Sequence, residues 1–284
     1  MDINNEITKS LGPKEAKFII KLHEMNRITF SLDVASEVTG YSGQSLRNFL
    51  CRLVKKGILT SLSNGLYNIV PFELGEERIY AGNPLIIARE IVKRKLKEIH
   101  PEYYISHGSA MELHRMVTQP QMIVYTTVTR QIKGNMNILG TRFNFLTCKE
   151  KDYFGFKKHW IENADHILVS NIEKTIIDGL KKPECCGGLV EVAKALWIKR
   201  DLLNTTRLID YAVKLGVGAV YRRLGYLLEL YKVDCPSEIE ELQDKLTRTY
   251  SLLDPTLLKE GKYLARWKLI QNVTDEEFLS VIRT

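Results

Sequence analysis

The chain has 284 residues, an apolar fraction of 44% and a formal net charge of +7, which suits two domains, a sizeable core and a polyanionic partner. No apolar run approaches the ~20 residues that a bilayer-spanning helix needs. The stretch from Met1 to Ser10 carries Asp2 and Glu6 in place of an apolar signal segment, so a cytoplasmic protein without a membrane partner is expected.

In chain order, Phe18, Ile19, Leu22 and Met25 recur at helical spacing behind Pro13, which suits a first helical position. A second helix starts at Ser31 as N-cap, carries Leu32, Ala35 and Val38, and stops at Gly40. Ser42 caps a third helix that runs to about Lys56, before Gly57. Its Leu46, Phe49, Leu50 and Leu53 form one apolar stripe. The opposite arc holds Gln44, Arg47, Asn48, Arg52 and Lys55, and no acid occurs from Ser42 to Lys56. A solvated helix ordinarily mixes its charges, so this purity of sign matters. Asn64-Gly65 then signals a hairpin, because both residues accept positive φ. Three helices followed by a hairpin is the order of a winged helix-turn-helix. That order places Ser42, Gln44, Ser45, Arg47, Asn48, Arg52 and Lys55 in a major groove, with Ser63 and Asn64 of the wing on the backbone. The plainer alternative is a protein-interaction module with a solvated basic face.

Residues 72–83, with Glu73, Glu76 and Glu77, read as a linker between a DNA-binding domain at 1–71 and a larger domain at 84–284. Pro84 opens a helix to Lys97 with Leu85, Ala88, Ile91, Val92 and Leu96 inward, leaving Arg89, Lys93, Arg94, Lys95 and Lys97 as a solvated basic face. A short strand turning into a helix follows at Tyr103–His114, then two β-rich stretches at 122–129 and 136–147. Helices are expected over 173–180, 189–200, 205–215, 219–231 and 237–246, then an extended piece at 263–272 and a helix capped at Thr274. The fold class is α+β, with the C-terminal part mainly helical.

No catalytic site emerges from the residues. Gly108-Ser109 sits at a strand-to-helix turn of the kind nucleotidyltransferases use, but those enzymes need paired carboxylates for two metal ions. No aspartate occurs between Asp33 and Asp152. His107 and His114 lack a third ligand, and one His at a turn with one against the core is the simpler reading. The five cysteines, Cys51, Cys148, Cys185, Cys186 and Cys235, form no CxxC pair, and they read as reduced thiols. No phosphate loop and no nucleophile elbow is present. Neither a metal nor a cofactor is expected.

Several blocks resemble the AbiEi-type antitoxins. The most specific is Ile172-Glu-Lys-Thr-Ile-Ile-Asp-Gly-Leu-Lys-Lys-Pro-Glu-Cys-Cys-Gly-Gly-Leu-Val-Glu-Val192. With it go Tyr104-Ile-Ser-His-Gly-Ser-Ala-Met-Glu-Leu-His114, Tyr221-Arg-Arg-Leu-Gly-Tyr-Leu-Leu-Glu229, and Leu253-Asp-Pro255 with Gly261, Trp267 and Asn272. Arg115 stands where a glycine often follows the histidine. The resemblance implies a type IV antitoxin that represses its own operon at an operator of inverted repeats and neutralises a nucleotidyltransferase-like toxin without a tight complex. The alternatives are a transferase that modifies the toxin, and a transcription factor with a ligand-sensing domain. In the 172–192 block, Ile172, Ile176, Ile177 and Leu180 face inward, while Lys174, Lys181 and Lys182 lie off that stripe and are the candidate neutralisation surface.

Overall fold

Residues 9–63, 65–75, 77, 79–98, 102–117, 122–161 and 165–280 are described by the computed structural model. Eleven α-helices and three sheets occur among them, a mixed architecture of the α+β kind. The chain divides into two compact units, one of residues 1–101, 132–143 and 159–167, the other of residues 102–131, 144–158 and 168–284.

The first unit begins with α1 (Pro13–Glu24), β1 (Thr29–Ser31), α2 (Leu32–Thr39), α3 (Gly43–Lys55), β2 (Leu59–Ser63), β3 (Leu66–Ile69) and α4 (Pro84–Leu96). Pro13 takes the first position of α1, and the Glu15 side chain accepts from the Gly12 amide at 2.8 Å. The Ser31 hydroxyl accepts from the Val34 amide at 3.5 Å, and Gly40 closes α2 in the left-handed conformation at φ 71°. Ser42 occupies the N-cap position of α3, but its side chain makes no capping bond. Phe18, Ile19, Leu22, Leu46, Phe49, Leu50 and Leu53 are all buried in one core, each side chain contributing about 1.5–3 kcal/mol. Phe18 meets Phe30 and Phe49 edge to face, Phe30 stacks on Tyr67, and Tyr41 meets Phe49. The three strands pair antiparallel in the order β1-β3-β2, with an irregularity between Ser61 and Ser63.

Helix α4 departs from the expected solvated basic face. Ile87, Ala88, Arg89, Glu90, Ile91 and Val92 are all buried, so both sides of its middle turns are covered. The Arg89 guanidinium grips both Asp165 oxygens at 2.5 and 2.7 Å and also donates to the His166 carbonyl and to Glu90. A planar fork matched to a carboxylate is what lets an arginine be buried here. Burial alone raises the Asp165 carboxyl, but Arg89 holds it below its usual range.

Next in the chain are β4 (Tyr103–Ile105), α5 (His107–Leu113), β5 (Ile123–Val128), β6 (Met136–Ile138), β7 (Thr141–Thr147), β8 (Phe156–Ile161) and β9 (Asp165–Ser170). These strands form one sheet in the order β6-β7-β5-β4-β9-β8, with β4 antiparallel to β5 and parallel to β9. The expectations from sequence contained neither β8 nor β9.

Helices α6 (Ile172–Lys181), α7 (Leu189–Lys199), α8 (Thr205–Leu215), α9 (Gly218–Leu230) and α10 (Pro236–Asp244) follow. The chain then forms β10 (Ser251–Leu252), β11 (Lys262–Leu264) and β12 (Leu269–Gln271) as a small sheet, and ends in α11 (Asp275–Ser280). The blocks singled out in the sequence hold this part together. Arg223 of α9 is buried and donates to the carbonyls of Leu180, Leu252 and Leu253 at 2.6, 3.2 and 2.8 Å. Gly225 lies flat against the Trp267 ring, where any Cβ would collide. Gly187 and Gly188, at φ 87° and 104°, turn the chain into α7. Since Gly188 has no side chain to cap that helix, the buried Asp254 does so, accepting from the Leu189 amide at 2.8 Å. Asn272 fixes Asp254 in turn, accepting from its amide and donating to its carbonyl.

Candidate nucleic-acid interface

The face of α3 opposite Leu46, Phe49, Leu50 and Leu53 is open. Gln44, Ser45, Arg47, Asn48, Arg52 and Lys55 are exposed, as is Ser42 just before the helix. Among the described residues, Arg47, Arg52 and Lys55 make no ion pair. Gln44 Nε2 donates to Asn48 Oδ1 at 2.9 Å one turn on. Arginine forks match guanine edges and Asn or Gln amides match adenine, while lysine serves phosphate. Lys56 belongs elsewhere: it is half-buried and pairs with Glu15 of α1 at 2.6 Å. Burial raises the Glu15 carboxyl, and the bonds from Lys56 and the Gly12 amide more than offset this, leaving it below its usual range.

In the hairpin, Ser63 is half-buried, and its enclosed hydroxyl has no hydrogen-bond partner among the described residues. Asn64 lies outside the described residues, as does Glu76 of the 72–83 segment. Three cations escaped the sequence reading. Lys14, Lys17 and Lys21 are exposed on one side of α1 and flank a groove shared with Val38, Thr39 and Tyr41. Their i, i+3, i+7 spacing, which puts them on one side of the helix beside Phe18, was the available signal.

Comparison with known proteins adds a likeness of fold. No family model matches the chain, and no curated protein does. Among solved structures, the RV2827C protein from Mycobacterium tuberculosis is similar, with a TM-score of 0.69 at 12% identity, over 97% of this chain and 96% of that one. At that identity the likeness is one of fold alone.

In the second unit, Lys174, Lys181 and Lys182 converge on one small cleft of about 30 Å³, lined also by Tyr104, His107, Asp152 and Asp178. They do not form a uniform surface. Lys174 is 1% exposed, ion-paired with Asp178 one turn on, and lies over the rings of Tyr104 and Phe154. Tyr104 donates its hydroxyl to the other Asp178 oxygen at 3.1 Å. Lys174 was read as lying off the apolar stripe and therefore outside; the aromatic rings that cover it come from distant stretches of chain. Lys181 and Lys182 are half-buried at the rim, and Lys181 reaches the buried Asp152 at 3.4 Å.

His107 and His114 do not meet on a metal. His114 Nε2 lies 2.6 Å from the Ser170 carbonyl, and His107 shares a hydrogen bond with the Ser106 hydroxyl at 2.9 Å. Complete burial holds the His107 imidazole neutral and lowers its pKa to about 4, with the neighbouring lysines adding to the effect and Asp178 opposing it. Among the described residues, no group of His, Cys, Asp and Glu is placed to hold a metal ion.

Proposed function

We propose that the chain is a DNA-binding repressor whose first unit acts as a winged helix-turn-helix, with α3 in the major groove. The observation that carries this reading is the α3 face itself. Gln44, Arg47, Asn48, Arg52 and Lys55 stand together, exposed and without an acid among them, on a helix anchored by four buried apolar side chains. An exposed cation without a partner gains little within the fold, whereas against phosphate it releases counterions. Lys14, Lys17 and Lys21 supply further phosphate contacts. The double variant Arg47→Ala/Arg52→Ala should abolish specific operator binding in a gel-shift assay and flatten its salt dependence by about two charges. Thermal unfolding should be unchanged. Wild-type affinity in that variant overturns the assignment of α3.

The second unit we assign to neutralisation of a nucleotidyltransferase-like toxin encoded beside this chain, as in the AbiEi-type antitoxins. The reading rests on the sequence blocks, with Lys181 and Lys182 as its surface and Lys174 as part of the support beneath. Co-expression of the full chain with the neighbouring gene product tests it. Growth should be rescued by the wild type and by Arg47→Ala/Arg52→Ala, and less well by Lys182→Glu. A neighbour that is not toxic overturns it.

A further inference from the structure

The first unit holds a cavity of about 290 Å³, close to the lower end of the range that small-molecule sites occupy. It opens among the end of α1, strands β1 and β3, and the start of α4. Ile28, Ile69 and Ile86 give it an apolar wall, and Phe72 and Tyr80 bring two exposed rings to it. Its floor is already satisfied: the fully buried Asn68 accepts from the Thr29 hydroxyl at 2.7 Å and donates to the Ile69 carbonyl at 2.8 Å.

The charge around this cavity runs against that of the protein. Glu73 and Asp165 line it together with His23 at the end of α1, and no lysine or arginine does among the described residues, in a chain that carries 41 of them. Arg89 neutralises Asp165, while Glu73 is exposed and makes no ion pair among the described residues. A phosphate or carboxylate ligand would meet the Glu73 carboxylate here, with no free cation to offset it among the described lining residues. A positively charged ring, by contrast, finds aromatic faces for cation–π contact and a carboxylate for its charge.

We propose that this cavity is a binding site for a small planar organic cation, its ring against Phe72 and Tyr80 and its charge toward Glu73. A second step rests on the DNA-binding reading above. Strand β3 carries both the Asn68–Ile69 wall and the hairpin that follows α3, so occupancy changes operator affinity.

The test titrates the full chain with benzamidine, using benzoate as the anionic counterpart of similar size, and follows the melting temperature and heat of binding. Benzamidine should bind in the millimolar to high-micromolar range expected of so small a ligand and raise the melting temperature. Benzoate should do neither. Glu73→Gln, an exposed change that leaves the fold alone, should weaken benzamidine about tenfold, and Ile86→Trp should abolish binding by filling the space. Absence of a benzamidine effect, equal binding of benzoate, or wild-type binding by Glu73→Gln overturns the site. Gel shifts with and without benzamidine examine the second step separately. If benzamidine binds and operator affinity does not move, the coupling is refuted and the site stands. If no operator is bound at all, the DNA-binding reading has failed instead.

Discussion

Helices α3 and α6 each carry an apolar stripe at helical spacing, Leu46/Phe49/Leu50/Leu53 and Ile172/Ile176/Ile177/Leu180, yet their polar faces meet different surroundings. In α3 the polar face is open, and its cations Arg47, Arg52 and Lys55 are exposed. In α6 it is covered, so Glu173, Lys174, Thr175 and Asp178 are buried together with the stripe. Each of these finds a partner: Glu173 accepts from the Asn204 amide, Thr175 donates to the Asn171 carbonyl, and Lys174 and Asp178 hold each other. Polar residues on an amphipathic helix are therefore available to a partner when the face is free and serve architecture when a second layer closes over it. Which of the two applies is decided by the rest of the chain.

The largest effect expected of this difference lies at Lys174. Removing it by Lys174→Ala leaves Asp178 buried without its counter-charge and should cost about 3–5 kcal/mol in urea unfolding. Lys174→Met combined with Asp178→Asn removes both charges, keeps an acceptor for Tyr104, and should recover most of that loss. Equal destabilisation by the double variant would show that α6 needs the charges themselves.

Next comes pH. Burial lowers the folded-state pKa of His107 from 6.5 to about 4, so between those values the unfolded chain binds the extra proton. Stability supplied by the neutral imidazole is complete above about pH 6.5 and is lost as the pH falls toward 4, a change of about 3 kcal/mol. His107→Asn, which tolerates the residue's φ of 50°, should flatten that slope. Glu15 and Asp165 in the first unit carry lowered carboxyls. Their contribution is therefore present at neutral pH and lost only in stronger acid, below the usual carboxylate range near pH 4.

A smaller loss is expected at Gly187, whose φ of 87° suits no β-branched side chain; Gly187→Val should cost about 1–3 kcal/mol and lower the melting temperature. The smallest effect on stability belongs to α3. Cys51 is the exposed cysteine and sits among Asn48, Arg52 and Lys55, whereas burial pushes the thiols of Cys148, Cys185 and Cys235 up to about 11. Brief alkylation should therefore label Cys51 first, leave the melting temperature within about 0.5 kcal/mol of wild-type stability, and abolish operator binding. DNA binding unaffected by full labelling of Cys51 would place the interface elsewhere.

How much could be read in advance follows the same division. The three helices and the hairpin up to β3 were legible because turn signals bracket each one and the stripes are long, whereas the three-residue strand β1 was not expected. Helices α5 to α10 were legible for the same reason. Strands β8 and β9 were not. Phe156-Lys-Lys-His-Trp-Ile161 is too polar to announce a strand, and Asp165-His-Ile-Leu-Val-Ser170 offers only a three-residue apolar run, which periodicity cannot assign. Burial of Arg89 and Lys174 was equally hidden, because their partners Asp165, Tyr104 and Phe154 lie far off in sequence. The cavity beside Phe72 and Tyr80 draws on four separate stretches of chain, and no local pattern marks it.

The cap on α7 sets a clock for the newly made chain. The Leu189 amide waits for Asp254, 65 residues downstream, and at the usual ~5–20 residues per second of synthesis that is a delay of roughly 3–13 s. During that interval the apolar face of α7 has left the ribosome without the acceptor that completes its first turn, and Asn272, which clamps Asp254, comes later still. Premature termination anywhere before residue 272 thus yields a product whose defect lies in the middle of the second unit. Such fragments should be cleaved by proteases sooner than the finished chain.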